Sequence, residues 1–367
     1  MNLTELLQMS NRYGSNPAYV LAGGGNTSVK DDTTLYVKCS GTQLATLTEA
    51  GVVALDRKAL DALMTKEYPA EDAAREAAFL ADVMAARCDE DLSKRPSVEA
   101  LLHNLFPQKY VLHVHPAMVN GLTCGKGDVE LAKKILGEDM LWIPICRPGY
   151  ILGRLCWDAM QEYKEKNGKE VQVVLLQNHG IFLAGNSVEE IDGIFNDVWS
   201  KLEAVVERQP DLSEGCPHCA EAAAEAAKVL AEETGKVVRF VNVKEGKKLT
   251  ASKEAAAPLL RPFTPDHIVY CGPYPLFLEN AKDAKTELAA FTERTGLVPK
   301  VVLVAGVGAF VMGDTEAELD KPELLLKDAM KVAVYAESFG GPLAMTEDLT
   351  QFIIHWEAES YRKKQSK

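Results

Sequence analysis

The stretch Tyr110-Val-Leu-His-Val-His-Pro116 constrains this chain more than any other. Apolar residues, two histidines one residue apart and a closing proline read as a β-strand that ends at Pro116. Side chains alternate faces along a strand, so His113 and His115 project to one side and Val114 to the other. Two imidazoles at that spacing can share one cation, and zinc sites commonly take three protein nitrogens and keep a position open. The fold must therefore bring a third ligand, and a base, to the end of this strand.

Two other segments qualify. Val171–Gly180 reads as a buried strand ending in Asn178-His179-Gly180, which makes His179 the natural third ligand. Upstream, Arg95-Pro-Ser-Val-Glu-Ala-Leu-Leu-His103 opens a helix. Ser97 reads as its N-cap or as a ligand donor, and Glu99 falls in the first turn, where the helix dipole favours a carboxylate. Glu99 and His103 are four apart and share a helix face. A helix–turn–strand hairpin would return Glu99 to His113 and His115. Each residue taken singly has a plain structural reading; three histidines at strand positions together with a glutamate are less easily dismissed.

Leu21-Ala-Gly-Gly-Gly-Asn-Thr-Ser28 is a glycine loop whose backbone N–H groups can approach an anion, phosphate above all, or make a tight turn between strands. It lacks the Gly-Lys-Ser/Thr ending of a Walker loop. Cys39-Ser-Gly-Thr42 is a second small-polar turn, after a strand over Thr34–Lys38.

The formal net charge of −13 argues against nucleic-acid or membrane-surface partners. The longest apolar run, Val301–Met312, is too short to span a bilayer, and no secretory leader opens the chain. Eight cysteines without a framework pattern fit a reducing cytoplasm.

The polar segment Gln209–His218, with Pro210, Gly215 and Pro217, marks a boundary between domains at 1–210 and 211–367. Cys216 and Cys219 within it lack the second pair that a structural zinc site needs. The second region reads as α/β, with a helix over 219–235, a strand over 237–243, a strand entry at Thr264–Cys271 and a helix over 276–295. It echoes the first region at an offset of 128 residues: Val173, Gly180, Phe182, Gly185 and Glu190 fall on Val301, Gly308, Phe310, Gly313 and Glu318. His179 falls on Val307, so the copy cannot bind metal in the same way. Gly306 and Gly308 do not begin a dinucleotide fingerprint, because Val311 stands at the third glycine position.

Gly24–Ser28, Ser40-Gly41, Ser97-Val-Glu99, His113-Val-His115 and Asn178-His-Gly180 resemble, in order, the motifs of the class II aldolase/adducin superfamily. The likeness is strongest to the aldolase part of the bifunctional rhamnulose-1-phosphate aldolase/alcohol dehydrogenases, through Tyr36–Gly41, Pro96–His103 and His113–Pro116. It covers residues 10–205 strongly and 262–360 weakly. It implies a three-layer α/β/α fold with a central, mainly antiparallel sheet, followed here by the partial repeat. It implies one divalent ion, zinc by default, on His113, His115 and His179, with Glu99 as general acid/base. Gly25, Asn26, Ser40, Gly41 and Ser97 would hold the substrate phosphate. Some relatives carry a serine where Val98 stands, one phosphate donor more. The implied reaction cleaves a phosphorylated ketose, such as a 6-deoxy-ketose 1-phosphate, to dihydroxyacetone phosphate and a hydroxyaldehyde through a metal-bound enediolate. The partners implied are a small phosphorylated sugar and further copies of the chain in a homo-oligomer. Two alternatives remain: sugar-phosphate 4-epimerisation or dehydration on the same scaffold, and a non-catalytic adducin-like module. No dehydrogenase domain is expected within this sequence.

Overall fold

The computed structural model describes residues 1–88, 91, 93–215 and 220–356, so Cys216 and Cys219 lie outside the described residues. The described chain divides into two units. The first comprises residues 1–119 and 128–205 together with His355 and Trp356; the second comprises 120–127 and 206–354.

In the first unit, strands β1 (Asn26–Lys30), β2 (Thr34–Lys38), β3 (Val52–Asp56), β4 (Tyr110–Val114), β5 (Leu141–Ile143), β6 (Val173–Leu176) and β7 (Gly180–Gly185) form one sheet. The order across it is β3-β2-β1-β4-β7-β6-β5. Every neighbouring pair is antiparallel except β5 with β6. The helices associated with this part of the chain are α1 (Thr4–Gly14), α2 (Arg57–Ala62), α3 (Asp72–Ala85), α4 (Ala100–Leu105), α5 (Ala117–Thr123), α6 (Val129–Leu136), α7 (Tyr150–Asn167) and α8 (Val188–Glu203).

Alternation decides which residues meet which helices. Val111 on β4, Val174 and Leu176 on β6, and Phe182 and Ala184 on β7 bury one face against Leu102 of α4 and Leu152, Cys156 and Met160 of α7. At the β2–β3 end, Leu35, Val37, Val53 and Leu55 pack with Leu60 of α2, Phe79 and Val83 of α3, and Leu101 of α4. Helix α8 lies on β4 and β7, and α1 lies on β1. Helices thus surround a mainly antiparallel sheet. The central strands are buried throughout and read as apolar runs.

The second unit contains α9 (Ala220–Thr234), β8 (Val237–Val241), α10 (Lys244–Leu249), α11 (Lys253–Ala256), α12 (Pro265–Cys271), β9 (Leu276–Leu278), α13 (Ala284–Thr295), β10 (Val301–Val304), β11 (Gly308–Gly313), α14 (Asp320–Glu337) and α15 (Glu347–His355). Its sheet runs β8-β11-β10-β9. The pairing β10–β11 reproduces β6–β7 at the offset of 128: Val173 pairs with Leu183 and Val301 with Val311; Leu176 pairs with Gly180 and Val304 with Gly308. The following turns match as well. Glu190 accepts from the Asn186 N–H at 2.7 Å, and Glu318 from the Asp314 N–H at 3.0 Å.

Three sequence expectations need correction. Thr264–Cys271 is not a strand entry: Thr264 stands at the N-cap and Pro265 in the first turn of α12, where a missing N–H costs nothing. The helix expected from 276 begins at Ala284, because Leu276–Leu278 pairs in parallel with β10. Asn26, Thr27 and Ser28 belong to β1 rather than to the glycine loop, since β2 and β4 pair on either side of that strand.

Candidate metal centre

β4 carries His113 to the sheet centre, opposite Phe182 on β7 and Asn26 on β1. The ring is fully buried, and Phe182 stacks on it with centroids 3.9 Å apart and planes 15° from parallel. His113 Nδ1 lies 2.9 Å from the Ile181 carbonyl oxygen. A carbonyl only accepts, so Nδ1 carries the hydrogen and Nε2 presents a lone pair. His115, just past the strand end, brings its Nε2 to 2.9 Å from that of His113. His179 sits in the β6–β7 turn, where Asn178 takes the left-handed conformation (φ 56°) and the His179 N–H donates to the Leu176 carbonyl at 3.1 Å. Its Nε2 lies 3.3 Å from that of His113. One nitrogen from each ring falls within 4.8 Å of the others.

Glu99 completes the group. It is the N-cap residue of α4, and its backbone N–H donates to Ser97 Oγ at 3.3 Å. Ser97 is therefore not the N-cap; the helix starts later than its sequence suggests, at Ala100. Glu99 Oε1 lies 3.3 Å from His113 Nε2 and 3.2 Å from His179 Nε2. Oε2 accepts from Asn26 Nδ2 at 2.6 Å. Burial alone drives this carboxyl upward; the neighbouring imidazoles of His113 and His179 and the hydrogen bond from Asn26 outweigh it and hold Glu99 well below the usual carboxylate range.

These separations allow a test of fit. Nitrogens about 2.0–2.1 Å from a tetrahedral zinc lie roughly 3.3 Å from one another. The His113–His179 and Glu99–histidine distances of 3.2–3.3 Å match that edge, and 2.9 Å is slightly shorter. Two imidazole lone pairs facing each other repel unless a proton or cation lies between them. Glu99 Oε1 is buried and receives no hydrogen bond. Three imidazoles and an orphaned carboxylate oxygen suit a borderline divalent cation such as zinc.

The expected phosphate contacts divide. Gly25 takes φ +67°, and a Cβ there would lie 2.8 Å from the His113 carbonyl oxygen, so glycine is needed for strand approach. Ser40, and Gly41 at φ +87°, lie beside the segment that leads into α4: the Ser40 N–H donates to the Arg95 carbonyl at 2.8 Å and the Ser97 N–H to that of Lys38 at 3.1 Å. Asn26 is instead committed at both ends of its amide, to Glu99 and to His103. Sequence reasoning misses His103 and its other partner, Ser28, as site residues. Their signal is the four-residue spacing from Glu99 and the two-residue spacing from Asn26.

The family described as Class II Aldolase and Adducin N-terminal domain matches residues 4–191, which include all four clustered residues. The chain belongs to this family. Class II aldolase/adducin membership supports an aldolase-like, lyase-type enzyme. The chain is also similar to an uncharacterized oxidoreductase, YuxG, of Bacillus subtilis (strain 168), 22% identical over 98% of this chain; it spans 58% of that relative's length. Among solved structures it is similar to the N-terminal class II aldolase domain of a conserved Thermoplasma acidophilum protein, with 25% identity, 56% of this chain and 94% of that one covered, and a TM-score of 0.48. It is also similar to L-fuculose-1-phosphate aldolase from Thermus thermophilus, with 16% identity, 55% and 91% covered, and a TM-score of 0.34. Among the described residues, no helix is long and apolar enough to cross a membrane.

Proposed function

We propose that this protein is a metal-dependent class II aldolase that cleaves a phosphorylated ketose, of the 6-deoxy-ketose 1-phosphate kind, to dihydroxyacetone phosphate and a hydroxyaldehyde. The observation that carries the reading is Glu99 Oε1, buried without a hydrogen-bond donor at 3.2–3.3 Å from two of three clustered imidazoles. His113, His115 and His179 would hold one divalent ion, zinc by default. Bound there, the ion supplies Lewis-acid polarisation of the ketose oxygens, worth several kcal/mol.

The chain's own residues do the rest. Glu99, shielded from water and held by Asn26, moves the proton at the carbon that leaves in the dihydroxyacetone half. Such a positioned carboxylate contributes about 10²–10⁴-fold. The sites offered for the phosphate are Gly25, Ser40, Gly41 and Ser97, and a distant phosphate grip supplies positioning energy. Asn26 acts on Glu99 with its side chain, which leaves the phosphate only its main chain. We assign the chemistry to residues 1–210 and a supporting role to residues 211–367, where Val307 stands in the place of His179. The scattered cysteines fit a cytoplasmic protein, and kinship with the family points to a homo-oligomer.

The test uses zinc-loaded protein and a panel of ketose 1-phosphates and pentulose 5-phosphates, with dihydroxyacetone phosphate release read by coupled NADH oxidation. Glu99→Gln should retain the ion and lose about 10²–10⁴-fold in kcat. Epimer formation without cleavage would overturn the aldolase assignment in favour of the epimerase.

A further inference from the structure

Behind Glu99 runs a line of buried hydrogen bonds that reaches none of the three clustered imidazoles. Asn26 Nδ2 donates to Glu99 Oε2 at 2.6 Å. An ionised carboxylate only accepts, so the Asn26 amide must turn its NH2 toward Glu99. That turns Asn26 Oδ1 toward His103 Nε2, to which it is hydrogen-bonded. An amide oxygen also only accepts, so His103 Nε2 carries a hydrogen. On the far side of the ring, His103 Nδ1 lies 2.7 Å from Ser28 Oγ. His103 and Ser28 are fully buried, and Phe182 meets the His103 ring edge-on at 5.4 Å.

The spacing explains how four residues form one line. Asn26 and Ser28 are two apart on β1 and share a face. Glu99 and His103 are one helical turn apart at the start of α4. Lys30, next on the same face of β1, fastens the other end of α4 by donating to the carbonyls of His103 at 2.6 Å and Phe106 at 2.7 Å. Strand and helix are thus joined at both ends, with the Asn26 amide between them.

We propose that His103 is a positioning residue: with Ser28 behind it, its Nε2–H fixes the Asn26 amide in the one orientation that presents NH2 to Glu99, and so aims the carboxylate at the histidine cluster. An amide has two orientations of nearly equal shape. Only the His103 N–H distinguishes them on this side, since the flipped amide would set its oxygen against the carboxylate and its NH2 against the ring N–H. The catalytic consequence rests on the aldolase reading; the orientation itself does not.

The experiment is a cycle in the zinc-loaded enzyme: His103→Phe, Asn26→Ala and the double variant, with Ser28→Ala as a milder perturbation that leaves the ring in place. His103→Phe should lower kcat about ten- to hundredfold, the worth of one hydrogen bond to a charged group, with KM within about threefold. The double variant should be no slower than Asn26→Ala, because His103 acts through Asn26. Losses that multiply, or a change carried by KM alone, would overturn the proposal. Nitrogen-15 NMR of histidine-labelled wild type gives a second reading that needs no turnover. It should show His103 as the Nε2–H tautomer, shifted in Ser28→Ala and answering to Asn26→Ala; an Nδ1–H tautomer would overturn the proposal even if His103→Phe failed to fold. A wild type that cleaves none of the sugars yet shows this tautomer would refute the aldolase reading and leave the positioning role standing. A cleaving enzyme with multiplicative losses would do the reverse.

Discussion

Zinc should stabilise the first unit, and the topology sets by how much. His113 and His115 come from the end of β4, His179 from the β6–β7 turn, and His179 lies 64 positions after His115. In the unfolded chain an ion gripping all three must close that loop, at about (3/2)RT ln 64, or roughly 3.7 kcal/mol. The folded sheet has closed it already. The unfolded chain should therefore bind the three-ligand ion about 500-fold more weakly. At zinc 100 times above the folded-state Kd, the folded state gains about 2.7 kcal/mol by mass action and the unfolded state only about 0.1. A net gain of about 2.6 kcal/mol should raise the midpoint of a unit of this size by roughly 5–10 °C. The assay is thermal unfolding by circular dichroism of chelator-stripped protein, with and without zinc. In His179→Ala the ion is left with the neighbouring pair, which the unfolded chain offers almost as well, so the shift should nearly vanish. A wild-type shift below 1 °C at saturating zinc, or an equal shift in His179→Ala, would refute the reasoning.

Other outcomes follow from the same contacts. Phe182→Ala removes the ring that backs His113 and should cost about 3–5 kcal/mol in urea unfolding; a loss under 1 kcal/mol would mean the stack is incidental. Burial above all, opposed by the nearby Glu99 carboxylate, holds His103 well below the usual histidine value. Its folded pKa is thus below its unfolded value near 6.5, and this contribution to stability is complete above about pH 6.5 and lost as pH falls toward the folded pKa. The slope is one proton, about 1.4 kcal/mol per pH unit, and His103→Gln should flatten metal-free stability against pH by that amount between pH 6.5 and 5; an unchanged slope counts against a neutral His103. Val307→His should leave zinc per chain unchanged by elemental analysis. The strand pairing puts Phe240 opposite Phe310 as His113 stands opposite Phe182, with Asn242 two residues on, so the corresponding place in the second unit would hold a single imidazole.

The centre is readable because its signals are local. His-Val-His at a strand end, Asn-His-Gly closing an apolar run and Glu at a helix start each have a narrow set of geometries, and the offset of 128 lines up β6–β7 with β10–β11 without any knowledge of strand pairing. What escapes reading are residues whose neighbours in space are far away in sequence. Ser28 looks like part of a glycine loop because nothing nearby says that β4 will pair along it. His103 looks like an ordinary helical residue because its partners lie more than 70 positions upstream. The strand at Leu276–Leu278 is absorbed into a helix because three residues carry too little periodicity.

Local patterning picked out the three histidines and the glutamate that the fold clusters, since strand and helix periods follow from backbone geometry. The order β1-β4-β7 lies beyond that patterning, and it is this order that sets Asn26, His113 and Phe182 side by side. Hydrogen bonding between strands distant in sequence is selected by the burial of the whole sheet. The hydrogen bond from Asn26 to Glu99 was therefore made by packing, not by any motif.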